Sequence, residues 1–411
     1  MREYFKFGIN ALLYPLVFVL LMDPADRIFR LKLPLFALIF GLWLLEKIVT
    51  NKIKTKKDSL ILILVYFLIS VTGIFVALVQ NNFADQGFAF GFLKSLVVLV
   101  LLFLIDDYGL RIDTILIRAS IVLPIMTVGV FFVFLYGSGA FIHQVFLFFA
   151  EENGAAAFSL RNFYGFELSM FFFKTSPLLV FPMGYYTHKL MKGEKPVLNT
   201  FLVVTFLITM ILSGTRANIL SAFLILIIIV FLGLAKKRNK FPLLLASMVM
   251  VYLVSLFISR ATFAKADVSQ QAKTEHLDAY VQLFNNNPEY LIWGQGLGSV
   301  FYSRGFSNYV PQSELTYIDL IRMFGIPLGL VFILFTFYPV FSLLQLLRRN
   351  KEVFYSLISF TAYLFIAGTN PLLISSTGML AILAVFSTIN YASSSKSKPF
   401  VSDRPQPIGG M

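Results

Sequence analysis

Apolar residues along this chain come in long unbroken runs separated by short polar segments. They show neither the alternation of a half-buried strand nor the single stripe of a surface helix. Runs such as 60–79 and 217–234 approach or reach the roughly 20 residues an α-helix needs to cross a hydrocarbon core. The pattern predicts about twelve spans, near 6–22, 33–49, 59–80, 91–105, 115–136, 166–187, 198–212, 217–234, 241–259, 316–347, 353–368 and 372–392. Together they predict one all-α polytopic domain over residues 1–392. A polar, Pro- and Gly-rich tail at 393–411 is expected to be disordered.

One break dwarfs the others, the segment 260–315 between spans nine and ten. Within it Leu277, Tyr280, Val281 and Phe284 recur at helical spacing, which predicts an amphipathic helix over 269–287. Asn285-Asn286-Asn287-Pro288 ends that helix, and Gly294-Gln295-Gly296-Leu297-Gly298 demands a tight, unhindered backbone. A second large break, 137–165, opens on Gly137-Ser138-Gly139. No internal repeat of the kind that builds many secondary transporters is visible.

Charge assigns sides to this layout. Clusters at Lys52-Lys54-Lys56-Lys57, Lys189-Lys192-Lys195, Lys236-Lys237-Arg238-Lys240 and Arg348-Arg349-Lys351 all fall at the same side of the predicted bundle. Cationic loops are retained in the cytoplasm, so both termini are expected there and the segments 137–165 and 260–315 outside. The net charge of +13 suggests nucleic acid at first sight. The excess lies in short loops between spans, so sorting during insertion and contact with anionic lipid headgroups account for it. Only 13% of residues are charged and 58% are hydrophobic, against about a quarter charged in soluble domains. Cysteine is absent, which excludes disulfides, thiolate metal sites and cysteine nucleophiles. The first apolar run leads into Asp23-Pro24-Ala25-Asp26 rather than a small-residue cleavage site, so no cleavable signal peptide is expected.

Candidate chemistry collects on the outer face. Arg216, in Ser213-Gly214-Thr215-Arg216, reads either as a hairpin arginine snorkelling to headgroups or as part of an anion site at the start of span eight. Arg260 and Arg304 bracket the large loop and Arg161 closes the other. Singly each is an ordinary loop arginine, but four on the face where cations are avoided fit a diphosphate leaving group. Glu314 is either a carboxylate favoured by the dipole at the start of span ten or a general base. Tyr317 would share its helix face, and Arg322 would point to a neighbouring face about two turns further in. Lys174 lies inside predicted span six, where a charge faces a polar cavity unless it snorkels outward. His143, His188 and His276 have no metal-ligand spacing, and no metal or other cofactor is expected.

Three stretches, SGTRANILSAFLILIIIVFLGL at 213–234, the loop segment running from Arg260 through YVQLFNNNPEYLIWGQGLGSVF (260–301) and SELTYIDLIRMFGIPLGLVFI at 313–333, together resemble the O-antigen polymerase and O-antigen ligase superfamily. RNFYGFELSMFFFKTSPLLVF at 161–181 is a weaker echo. The resemblance implies a GT-C-like, inverting, metal-independent glycosyltransferase of the bacterial inner membrane. Its substrate would be an undecaprenyl-diphosphate-linked glycan, handled on the periplasmic or exterior face, with a polysaccharide chain-length regulator as a further partner. Arg216, Arg260 and Arg161 or Arg304 would then grip the diphosphate. Glu314 stands where the ligases carry a histidine, which favours a polymerase. The alternatives are a ligase transferring finished polymer to lipid A-core and, from another class, a lipid-linked oligosaccharide flippase.

Overall fold

The computed structural model describes residues 2–50, 54–163, 166–235, 252 and 268–394. Predicted span nine, Lys52, the Lys236-Lys237-Arg238-Lys240 cluster, Arg260 and most of the polar tail lie outside the described residues. The side chain of Arg161 does too.

Apolar runs become helices wherever their length permits. Among the described residues, α1 (Arg2–Met22), α2 (Lys32–Thr50), α3 (Lys57–Val79), α4 (Gln86–Tyr108), α5 (Ile112–Tyr136), α9 (Arg216–Ala235), α12 (Thr316–Leu347) and α14 (Ser376–Ser394) contain the eight segments long and apolar enough to cross a membrane. α6 (Gly139–Phe146), α7 (Val180–Met191), α8 (Pro196–Leu212) and α13 (Phe354–Gly368) are apolar but shorter. The chain is therefore a multi-pass, predominantly helical membrane protein. Hydroxyls inside the helices close back on their own backbone: Ser70, Thr127, Thr187 and Thr336 each donate to the carbonyl four residues earlier. That removes a polar group that lipid would leave unsatisfied.

α14 is the axis of the bundle. It has the lowest hydropathy of the long helices, 1.2, yet 83% of its window is buried within the protein. Gly378, Ala381 and Ala384 are fully or nearly fully enclosed, and such small side chains let neighbouring helices approach closely. At one end of this axis charges are matched in pairs. Asp107 accepts from Arg2 at 2.9 Å and from Trp43 at 3.1 Å and pairs with Lys47, which also contacts Glu46 at 2.5 Å. Asp113 binds Arg111 through both oxygens and also accepts from Tyr355 and Ser387. Asp106 receives the amide of Lys56 and the side chain of Asn390.

Two predicted spans are corrected. Span six, expected as a helix over 166–187, begins instead as β2 (Phe166–Phe173), paired antiparallel with β1 (Ala156–Phe163). Phenylalanines set this local choice, since aromatics pack well on a pleated surface. Phe171 lies edge-on to Phe134 at 5.1 Å and Phe173 to Phe149 at 5.7 Å. Helix resumes only after Pro177, which occupies the first turn of a short 3-10 segment. Span ten is broken at Gly325, whose φ of 73° no side-chain-bearing residue adopts readily.

Candidate functional site

The break at Gly325 receives the segment that precedes α12. α10 (Val268–Asn286) and the short α11 (Tyr290–Trp293) lead into the glycine run, which passes between α3 and α12. A Cβ on Gly296 (φ 94°) would lie 2.3 Å from the backbone of Ala77, and one on Gly325 2.1 Å from the carbonyl of Ile292. Only glycine permits that crossing. Its amides are then used: Gln295 N–H donates to the Arg322 carbonyl at 2.6 Å, Gly296 to Met323 and Leu297 to Gly73.

Arg322, fully buried, clamps the same crossing. Its Nε donates to Asp319 at 3.0 Å, its Nη1 to Gln295 at 2.7 Å and Ser299 at 2.8 Å, and its Nη2 to the carbonyl of Pro311. The guanidinium also covers the ring of Phe301. The second oxygen of Asp319 takes the amide of Ser313. Arg322 was expected to bind substrate; its donors instead hold the loop. Above it sits a hairpin, β3 (Phe301–Ser303) with β4 (Asn308–Val310), packed on Tyr280 and Ala279 of α10.

Beside this clamp lies a cavity of about 340 Å³. Its polar wall is Lys174, Gln312, Asn370, Ser375, Ser376 and Thr377, and its apolar wall Phe88, Phe92, Leu372 and Ile374. The wall is built by ties between distant segments: Thr316 to the Asn370 carbonyl at 2.8 Å, Ser376 to Pro24 at 3.2 Å and Thr175 to Leu21 at 2.7 Å. Thr377 belongs to the first turn of α14, so the positive end of the helix dipole opens here. Thr377 is 2% exposed and lines the cavity. The Gln312 side-chain oxygen is buried and has no hydrogen-bond partner among the described residues.

Two cations meet at the rim. Gly154 (φ 56°) leaves room for both, since a Cβ there would lie 3.6 Å from Lys174 Nζ and 3.9 Å from Arg27 Nη1. Asp23 shapes the Arg27 turn by accepting the amides of Arg27, Ile28 and Phe29 at 2.8–2.9 Å. Its carboxylate is consumed by backbone, and neither cation is within ion-pair distance of an acid among the described residues. Burial, then the charge of Arg27, push the Lys174 ammonium below its ordinary value. An anion would relieve both effects.

The other expected site residues are distributed around this cavity rather than gathered in it. Lys174 sits in the turn after β2, not inside a helix, which corrects its expected depth. Arg216, half-buried, is the first residue of α9, and Asn218 two residues on donates to Ser176 at 3.1 Å, next to the Lys174 turn. Glu314 precedes α12 and pairs with Lys273 at 3.4 Å, two residues beyond the cavity-lining Gln312. Tyr317 turns away from Glu314, donating to the Leu364 carbonyl at 2.8 Å. Arg304 is exposed and bonds Gln282 at 2.9 Å. Arg27, Gln312, Asn370 and Thr377 had not been singled out; the polar interruption Thr369-Asn370-Pro371 before the last span was the available signal. No group of histidines and carboxylates suited to a metal occurs among the described residues.

No protein-family model matches this chain, and comparison with curated proteins gives no match either.

Two outcomes follow from this geometry. Asp319→Asn strands the buried Arg322 charge and should cost about 3–5 kcal/mol in unfolding free energy. Asp319→Leu combined with Arg322→Met should recover part of that loss in the same denaturation assay. His276 is enclosed in the loop, its Nδ1 2.5 Å from the Ser303 hydroxyl. Burial pushes its imidazole below the ordinary value of 6.5, opposed by Glu314, Asp319 and Glu275 and aided by Lys273. The unfolded chain takes the proton first, so this stability is present above the unfolded value and is lost as pH falls through the depressed folded value. Thermal scans should give a lower Tm at about pH 5.5 than at about pH 7.5, and His276→Gln should flatten the difference.

Proposed function

We propose that this protein is a membrane glycosyltransferase that joins polyprenyl-diphosphate-linked oligosaccharide repeats into a surface polysaccharide. The observation that carries the reading is the amphipathic cavity at the loop-bearing end, where Lys174 and its neighbour Arg27 have no acid partner among the described residues and lie near the first turn of α14. Such a place suits a doubly phosphorylated headgroup with an apolar attachment. The resemblance of 213–234, 260–301 and 313–333 to O-antigen polymerases supports the same substrate class.

In this reading the growing glycan is the donor. A hydroxyl oxygen of the acceptor repeat attacks its anomeric carbon, the bond from that carbon to the diphosphate oxygen breaks, and the diphosphate leaves with the electron pair. Lys174 and Arg27, both exposed at the cavity rim, stabilise the charge that develops on it. Glu314 takes the hydroxyl proton. Arg216, held near the Lys174 turn through Asn218 and Ser176, orients the glycan end of the diphosphate. The cavity face is taken to be exterior, with both termini in the cytoplasm, because the lysine-rich clusters lie at the opposite ends of their spans.

Lys174→Ala and Arg27→Ala should each reduce polymer formation from purified lipid-linked repeats by roughly 10²-fold, the usual effect of deleting one such donor. Arg304→Gln should leave it near the wild-type rate, because Arg304 contacts Gln282 rather than the cavity. Wild-type rates in both alanine variants would refute the site.

A further inference from the structure

The cavity has an opening on the flank of α4. Phe88, Gly91, Phe92 and Ser95 line it, and of these Gly91 is exposed on the outside of the protein. A Cβ built on Gly91 meets nothing within 4 Å. Ser95 spends its hydroxyl on the Gly91 carbonyl at 3.0 Å, so the rim presents little polarity of its own. α4 is one of the membrane-crossing helices, so an opening on its exposed flank faces acyl chains.

Lys94 stands on that flank, three residues from Gly91 and next to Ser95. It is exposed and pairs with no acid among the described residues. It lies eight residues inside α4, about 12 Å along a helix rising 1.5 Å per residue, and so well into the half-thickness of a ~30 Å core. An unpaired lysine facing lipid at that depth is costly, and such residues mark the paths of charged substrates. Unlike Lys47 and Lys192, which have carboxylate partners, Lys94 is left to meet something that arrives from the bilayer.

We infer that the cavity is loaded sideways from the membrane, through a portal formed by Gly91 and Ser95 with Lys94 at its threshold, by an anionic isoprenoid lipid. The inference rests on the reading of the cavity as a diphosphate site. The diphosphate passes Lys94 and settles on Lys174 and Arg27, while the chain stays in the groove that Gly91 leaves open. Charge complementarity selects the occupant: Lys94 beside the opening, Lys174 in the cavity wall and Arg27 next to Lys174 are three cations with no acid partner among the described residues.

The test uses the full-length protein in lipid nanodiscs and two probes, geranylgeranyl diphosphate and inorganic pyrophosphate. Gly91→Trp projects into open space and should raise the Kd for geranylgeranyl diphosphate by roughly tenfold or more while leaving pyrophosphate within about twofold. Lys94→Glu, which fills nothing, should slow association of the lipid probe by about tenfold and leave pyrophosphate unchanged. Unchanged binding of both probes in both variants overturns the portal and leaves the cavity reading standing. Pyrophosphate binding that survives Lys174→Ala and Arg27→Ala together overturns the cavity reading itself, and failure of the wild type to bind either probe overturns both.

Discussion

The buried pair of Arg322 with Asp319 is the interaction on which the working end of this molecule depends. One guanidinium, fully enclosed, holds Gln295 and Ser299 of the glycine run, the carbonyl before Gln312, and its own helix through Asp319. Removing two charges from water is expensive, and the arrangement persists because almost every donor and both carboxylate oxygens are used. The break at Gly325 and the positive φ of Gly294, Gly296 and Gly298 follow from the same crossing, since the loop passes where helix and side chains would otherwise be. The rest of the site inherits its position from this clamp: Gln312 and Glu314 lie immediately after the carbonyl that Arg322 fixes.

The two ends of the bundle treat the same residue types in opposite ways. At the end bearing Arg2 and Arg111, cations are matched by Asp106, Asp107, Asp113 and Glu46 and lock helices together. At the cavity end Lys174 and Arg27 are placed side by side, and Asp23 in the same turn is occupied by three amides. Matched charges hold structure; unmatched ones are available to a ligand. That contrast, rather than the number of arginines on one face, is the physical basis of the proposed function.

Much of the architecture could be read from the apolar runs, because lipid demands helices and length decides which runs suffice. The amphipathic pattern of Leu277, Tyr280, Val281 and Phe284 located α10, and the glycine run was correctly expected to need free backbone. The run at 166–187 misled because phenylalanines satisfy a hydropathy criterion equally as helix or strand; Pro177 was the boundary that mattered. Arg322 was noticed, but Asp319, three residues earlier on the same face, was the clue that the charge was already spoken for. Arg27 escaped notice because a short loop with Asp23 and Asp26 nearby looks self-neutralised, and only the structure shows where the Asp23 oxygens point. Asn370 and Thr377 are unremarkable polar residues until the fold puts them around one cavity.

The central claim is that an anion-binding cavity opens at the exterior end of α14. The chain has no cysteine, so Ala25→Cys, at an exposed position of the cavity wall, introduces a single labelling site without background. In intact cells the account predicts reaction with a membrane-impermeant maleimide added outside, and protection when inorganic pyrophosphate is present. Labelling only from the cytoplasmic side, or labelling that pyrophosphate does not slow, would contradict it.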